Sequence, residues 1–144
     1  MHKWKIILGL AVVAVGAYFA FGRSYLSRAT LEVALRLDSL PKSIKNIHTK
    51  EQGFTDEIIY AYFEGAPDDL KKIIKLGNYS LLTSPFPEMP ISSTYPLRIQ
   101  EAFPHLNPFE VGDIYRFDFP DLKGFSVIWT DPTYTKAFTL YCVD

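Results

Sequence analysis

The sequence predicts an α+β protein: an N-terminal transmembrane helix, then a small domain with an antiparallel sheet of about five strands and two helices. Three observations carry that expectation. Lys3, Trp4 and Lys5 precede an uncharged apolar run from Ile6 to Gly22 that stops at Arg23. Beyond it, five segments alternate with strand period and two recur with helical period. The chain therefore divides into an anchor, residues 1–23, and one α+β globular domain, residues 24–144, of about 120 residues, too few for two ordinary domains.

A spanning helix must cover ~30 Å of hydrocarbon at ~1.5 Å per residue, which calls for ~20 residues. Residues 4–22 reach that length once Lys3, Lys5 and Arg23 extend towards the interface, and Tyr18, Phe19 and Phe21 supply an aromatic belt at one end. This aromatic exit favours a retained anchor over a cleaved signal peptide, for which Val15, Gly16 and Ala17 make a poor cleavage site. A lipid-anchored form is excluded because the only cysteine is Cys142. The expected partner of residues 4–22 is thus a lipid bilayer crossed once. Lys3 and Lys5 on one side nearly balance Arg23, Arg28 and Arg36 on the other, so charge does not set the direction. The short N-terminal tail places the domain outside the cytoplasm.

From Tyr25 to Leu40 the positions Leu26, Ala29, Val33, Leu37 and Leu40 form the apolar stripe of an amphipathic helix, continuing from the span and ended by Pro41. Ile44 to Gln52 reads as a strand, Gly53 as a turn, and Thr55 to Glu64 as a central strand. In the latter, Ile58, Tyr60 and Tyr62 face one way and Ile59, Ala61 and Phe63 the other, so both faces are apolar. Pro67, Asp68 and Asp69 suit a first helical turn, Leu70, Ile73 and Ile74 make its inward stripe, and Gly77 supplies the stop. Its outer lysines, Lys71, Lys72 and Lys75, read as a solvated face.

Residues 84–108 contain Pro85, Pro87, Pro90, Pro96, Pro104 and Pro108, a density that predicts an irregular segment. Its aromatics either pack down over the sheet as a lid or form a rim for a protein partner, for which Phe86, Tyr95 and Phe103 are the candidates. Asp113 to Phe119, Phe125 to Thr130 and Thr135 to Val143 then make an antiparallel meander.

All sixteen acidic residues lie in the domain with twelve Lys or Arg, giving a formal net charge of −1 for the chain. There is no basic stripe, which excludes nucleic acid as a partner. Little in the sequence suggests catalysis. No nucleophile elbow and no phosphate-binding glycine loop occurs, and His48 and His105 have no metal-type spacing to a second ligand, so no cofactor or metal is expected. Cys142 reads as a small core residue. The one candidate catalytic constellation is an acidic rim of His105, Glu110, Asp113 and Asp131, which the meander could gather at one end of the sheet.

The run Leu40-Pro41-Lys42-Ser43-Ile44-Lys45-Asn46-Ile47, then Gly53-Phe54-Thr55-Asp56, Tyr62-Phe63-Glu64 and Pro67-Asp68-Asp69-Leu70, resembles a pattern of small bacterial membrane-anchored envelope proteins. The likeness covers Leu35 to Ile74, with a looser match at Trp129 to Tyr141. It implies a bacterial envelope setting, and neither an activity nor site residues. The same residues have structural uses: Pro41 and Ser43 turn the chain from helix to strand, and Pro67 with the two aspartates starts a helix. The expected function is a non-enzymatic binding or interaction module at the cell envelope. The alternatives are a small hydrolase or metal-dependent enzyme using the acidic rim, and an immunity-type protective protein.

Overall fold

Alternation along Glu57–Glu64 puts Ile59, Ala61 and Phe63 on one face and Tyr60 and Tyr62 on the other, all buried, and this strand lies inside the sheet with a covering on both sides. The computed structural model describes residues 13, 16, 26–53, 56–83 and 98–144. Of the anchor at 1–23 only residues 13 and 16 are among them, and Phe86, Tyr95 and the greater part of the proline-rich segment fall outside. Among the described residues no helix is long and apolar enough to cross a membrane.

The elements run α1 (26–35), β1 (Lys45–Gln52), β2 (Glu57–Glu64), α2 (Pro67–Leu76), β3 (Ser80–Leu81), α3 (98–102), β4 (Ile114–Asp118), β5 (Gly124–Thr130) and β6 (Lys136–Val143). All strand pairs are antiparallel, in the order β1-β2-β6-β5-β4-β3. The α+β class and the β4-β5-β6 meander agree with the sequence. Among the described residues the counts differ: six strands rather than about five, and three helices rather than two. β3 is two residues long, too short for a periodic signal, and α3 occupies the interval between Pro96 and Pro104 inside the segment expected to be irregular. β1 forms one edge, with an irregular register between Lys45 and His48 where Asn46 takes φ 50°, and β3 forms the other.

Each face has its own core. On one, Leu31 and Leu35 of α1 and Leu70, Ile73 and Ile74 of α2 pack on Ala61, Phe63, Ile128 and Ala137. On the other, Ile99, Ala102 and Phe103 cover Tyr60, Tyr62, Val127, Trp129 and Phe138. A hydroxyl chain crosses the first core: Tyr79 and Ser126 are joined at 2.8 Å, and Ser126 donates to the Ala34 carbonyl at 3.3 Å. These bonds satisfy buried polar groups that would otherwise be costly, and burial pushes the Tyr79 phenol up to about 12.

The first helix departs from expectation in length and facing. It stops at Leu35, well before Pro41, because Arg36 adopts φ 58°. Arg36 then donates its N–H to the Val33 carbonyl and Leu37 donates to the Glu32 carbonyl, the paired bonds of a Schellman ending. The Arg36 guanidinium lies 4.0 Å above the Phe117 ring. With Leu37 and Leu40 outside the helix, the predicted stripe is broken. The inward face is Leu31, Ala34 and Leu35, all at 0% exposure, whereas Leu26 is 66% and Val33 52% exposed.

α2 ends the same way one position later than its glycine. Asn78, at φ 56°, is the left-handed residue, with Asn78 N–H bonded to Lys75 and Tyr79 N–H to Ile74. Gly77 has helical geometry, and is required because a Cβ there would meet the Tyr79 ring at 2.4 Å. At the other end Ala66 offers no side-chain cap, and Ser43 from the preceding loop does the work. Its hydroxyl donates to Asp69 at 2.6 Å and accepts the Ala66 N–H at 3.1 Å. Arg28 donates to the carbonyls of Leu40, Pro41 and Ile44, holding that loop in place. Ser43→Ala is expected to lower stability by about 1 kcal/mol, as loss of a cap does, and urea unfolding checks it; an unchanged midpoint would refute the assignment.

Candidate functional site

The acidic rim does not assemble as a catalytic group. Asp131, 8% exposed, sits just past β5 and closes the turn into β6. One of its oxygens accepts the backbone N–H groups of Thr135 and Lys136, both at 2.7 Å; the other accepts the hydroxyls of Thr133 and of Thr135. Burial would raise its carboxyl, but the donors from Thr133, Lys136 and Thr135 outweigh that and hold it below the usual range. Asp113 does lie at the same end of the sheet, where the Tyr134 hydroxyl donates to it and Tyr115 and Tyr134 are joined at 2.6 Å. Glu110 is exposed.

His105 belongs elsewhere. Its Nε2 is 3.4 Å from Nδ1 of His48, which stands on β1, three strands away from β5. At ~4.8 Å per strand that is ~14 Å, beyond any hydrogen-bonded relay to Asp131. The four candidates therefore split into a structural turn, Asp113 with Asp131, and a separate histidine pair. Among the described residues no group of three or more His, Cys, Asp or Glu side chains is placed to hold a metal ion.

The histidine pair was not legible in the sequence, since its members are 57 residues apart and come from different elements. The His48 ring lies 5.1 Å from His105, 6.0 Å from Tyr62 and 6.1 Å from Phe103, centroid to centroid. Next to it the Tyr62 hydroxyl and the Asn46 amide both donate to Glu64 at 2.7 Å. The Tyr62 bond is the chief reason that Glu64 stays below the usual carboxylate range. Motif residues Asn46, Tyr62 and Glu64 thus share one corner of the sheet with His48, as Ser43 and Asp69 share another.

Burial first, and His105 second, push the His48 imidazole down, against a smaller opposing pull from Glu64. Folded His48 therefore binds its proton less readily than in the unfolded chain, whose value is 6.5. Stability is full above that value and falls as the pH drops through it towards the lowered folded one. The urea midpoint is expected to fall between about pH 7.5 and about pH 5.5, and to fall less in His48→Gln. Equal slopes in the two proteins would refute the role of His48.

Phe103, one of the three partner-rim candidates, is 4% exposed and packs edge-on to Phe138 at 6.4 Å. It is a core residue that holds the 98–111 stretch on the sheet, as the lid alternative expects and not as a partner rim. Phe86 and Tyr95 lie outside the described residues. Cys142 is half-buried, and burial, followed by Asp144 and Asp56, raises its thiol, so the thiolate is disfavoured.

Two surface features remain. A shallow groove of about 300 Å³ runs beside β3 and β4, lined by Asn78, Ser80, Leu82, Arg116, Phe117 and Asp118. Its charges answer each other, because Arg116 places two guanidinium nitrogens on Asp118 at 2.7 and 2.8 Å. The second is the outer face of α1, where Leu26 and Val33 stand two helical turns apart on the side opposite Leu31, Ala34 and Leu35. Both side chains lie outside the two cores of the domain. No family model, no curated protein and no solved structure matches this chain.

Proposed function

We propose that the chain is a membrane-tethered, non-enzymatic interaction module of the bacterial cell envelope, held by residues 4–22 with its domain outside the cytoplasm. The observation that supports this best is the outer face of α1, with Leu26 and Val33 exposed on the helix that follows the apolar run. An apolar surface at that place sits close to the bilayer, where partners share the same plane. The carboxylates offered for catalysis lend the hydrolase reading no support, since Asp131 and Asp113 are engaged in local bonds. Two measurements test the proposal on the full chain. It is expected to stay in the membrane pellet after an alkaline wash, with a reporter fused after Asp144 active only outside the cytoplasm. Crosslinking in native membranes is expected to capture a protein through α1, and Leu26→Ser with Val33→Ser to lose it while the domain stays folded. Release by the wash removes the tether, and unchanged crosslinks remove the surface.

A further inference from the structure

His48 and His105 meet where the edge strand β1 borders the stretch that covers the second core. His48 pairs with Tyr62 across β1 and β2, so its side chain stands on the face where Tyr62 joins that core. His105 follows α3 and is exposed. The facing atoms, Nδ1 of His48 and Nε2 of His105, are 3.4 Å apart. As a direct hydrogen bond this is long, since N–H donors usually stand ~2.7–3.2 Å from their acceptors. Two imidazole nitrogens each about 2.05 Å from one tetrahedral zinc ion are separated by about 3.3 Å, which is close to the spacing observed. The right-angled ligand pairs of square-planar copper or nickel need about 2.9 Å.

We propose that His48 and His105 form a two-imidazole site for a zinc ion, with water completing the tetrahedron. Two protein ligands suffice for this arrangement, and among the described residues no third His, Cys, Asp or Glu is placed to join them. The rings are braced before any ion arrives. His48 lies against Tyr62 and Phe103, and His105 stands edge-on to Phe103 at 6.4 Å between centroids, with Phe103 itself buried. Histidine binds a metal in its neutral form, and burial followed by His105 already disfavours the protonated form of His48. Glu64 stands two residues beyond Tyr62 on the same face, and its charge is felt at His48, so a bound cation has a counter-charge beside it. The site acts as a clip. Lys50 on β1 donates to the Glu101 carbonyl at 3.3 Å, and the ion adds a second tie between the same strand and the 98–111 stretch. An ion held only by the folded chain stabilises it by mass action, and here the gain falls on the covering of the second core.

The test uses the full chain, purified and freed of metal with a chelator, and carrying His2→Gln so that His48 and His105 are its only histidines. Equilibrium dialysis against zinc is expected to show one ion per chain, with affinity at least about tenfold lower in His48→Gln and likewise in His105→Gln. Both positions lie outside the two cores, and an unchanged circular dichroism spectrum verifies the fold; the exposed His105 carries the test alone should His48→Gln unfold. Cobalt(II) in place of zinc is expected to give the intense visible absorption of a tetrahedral ion, lost in either variant. Saturating zinc is expected to slow hydrogen exchange in the 98–111 stretch about tenfold or more, and to leave it unchanged in His105→Gln. Absence of saturable binding, or binding that survives the loss of either histidine, overturns the inference. So does the weak absorption of octahedral cobalt. Membrane attachment enters none of these readouts, so the tether and the zinc site stand or fall separately.

Discussion

Phe138→Ala is expected to lower the free energy of unfolding by about 4 kcal/mol, against a total of ~5–15 kcal/mol for a domain of this kind. Phe138 is 0% exposed and lies at the centre of a cross-strand row on one face, with Tyr62 on one side and Trp129 on the other. Its ring centroid is 5.5 Å from Trp129 and 6.4 Å from both Tyr60 and Phe103. Truncation removes the apolar area of the ring and leaves a cavity that three aromatic neighbours on β2, β5 and the 98–111 stretch cannot fill by small movements. Phe138→Leu keeps much of the volume and is expected to cost ~1–1.5 kcal/mol. Trp129 fluorescence during urea unfolding reports both, and a loss under ~1 kcal/mol for the alanine variant would mean that the second core is loosely packed.

Asp131→Ala is the other large effect, expected at about 3 kcal/mol. The side chain gathers two backbone N–H groups and two hydroxyls at the β5–β6 turn, and charge-assisted bonds of this kind are worth ~1.5–3 kcal/mol each before relaxation. Removing the carboxylate strands the amides of Thr135 and Lys136 next to a buried strand end. Asp131→Asn keeps the shape and one acceptor, and is expected to cost about half as much. The carboxyl is held below its usual 3.8, so its contribution is present above that value and is lost as the pH falls through the lowered folded one. Asp131→Asn is therefore expected to flatten the acid limb of a stability profile, in a window separate from that of His48. An unaltered acid limb would show that the turn does not depend on the charge.

The sheet was largely legible because its strands carry strong alternation. Period alone puts Tyr60 and Tyr62 on one face of the central strand and Ile59, Ala61 and Phe63 on the other, and those faces are the ones observed. The first helix was misread because it bears two apolar stripes. Leu26, Ala29 and Val33 gained false support from Leu37 and Leu40, which an Arg in the left-handed region removes from the helix. Arginine is an uncommon occupant of that position, and no sequence rule anticipates it. The same limit applies to α2, where the glycine marked the helix end and the asparagine after it makes the turn.

Tertiary placement was the less legible part of the candidate site. The meander correctly brought Asp113 and Asp131 to one end, since that follows from strand order and turn positions. His105 could not be placed, because the stretch after α3 crosses to β1, and only the folded chain shows which strand receives it. The motif residues fare better in hindsight. Ser43 with Asp69, and Asn46 with Glu64, are pairs separated by 26 and 18 residues that the pattern contains on both sides. Their spacing reflects two corners of a fold rather than a reaction.

The two ends of the sheet have a bearing on how the domain behaves when many copies of it are brought together. Unpaired strand edges invite other chains to add on as further strands, and the outcome is uncontrolled polymerisation. Here one border is interrupted at Asn46 and flanked by Lys45 and Lys50, while the opposite border is a strand of only two residues. Neither offers a template long or flat enough for growth. At high local concentration the sheet is therefore poorly suited to recruiting further strands at either border.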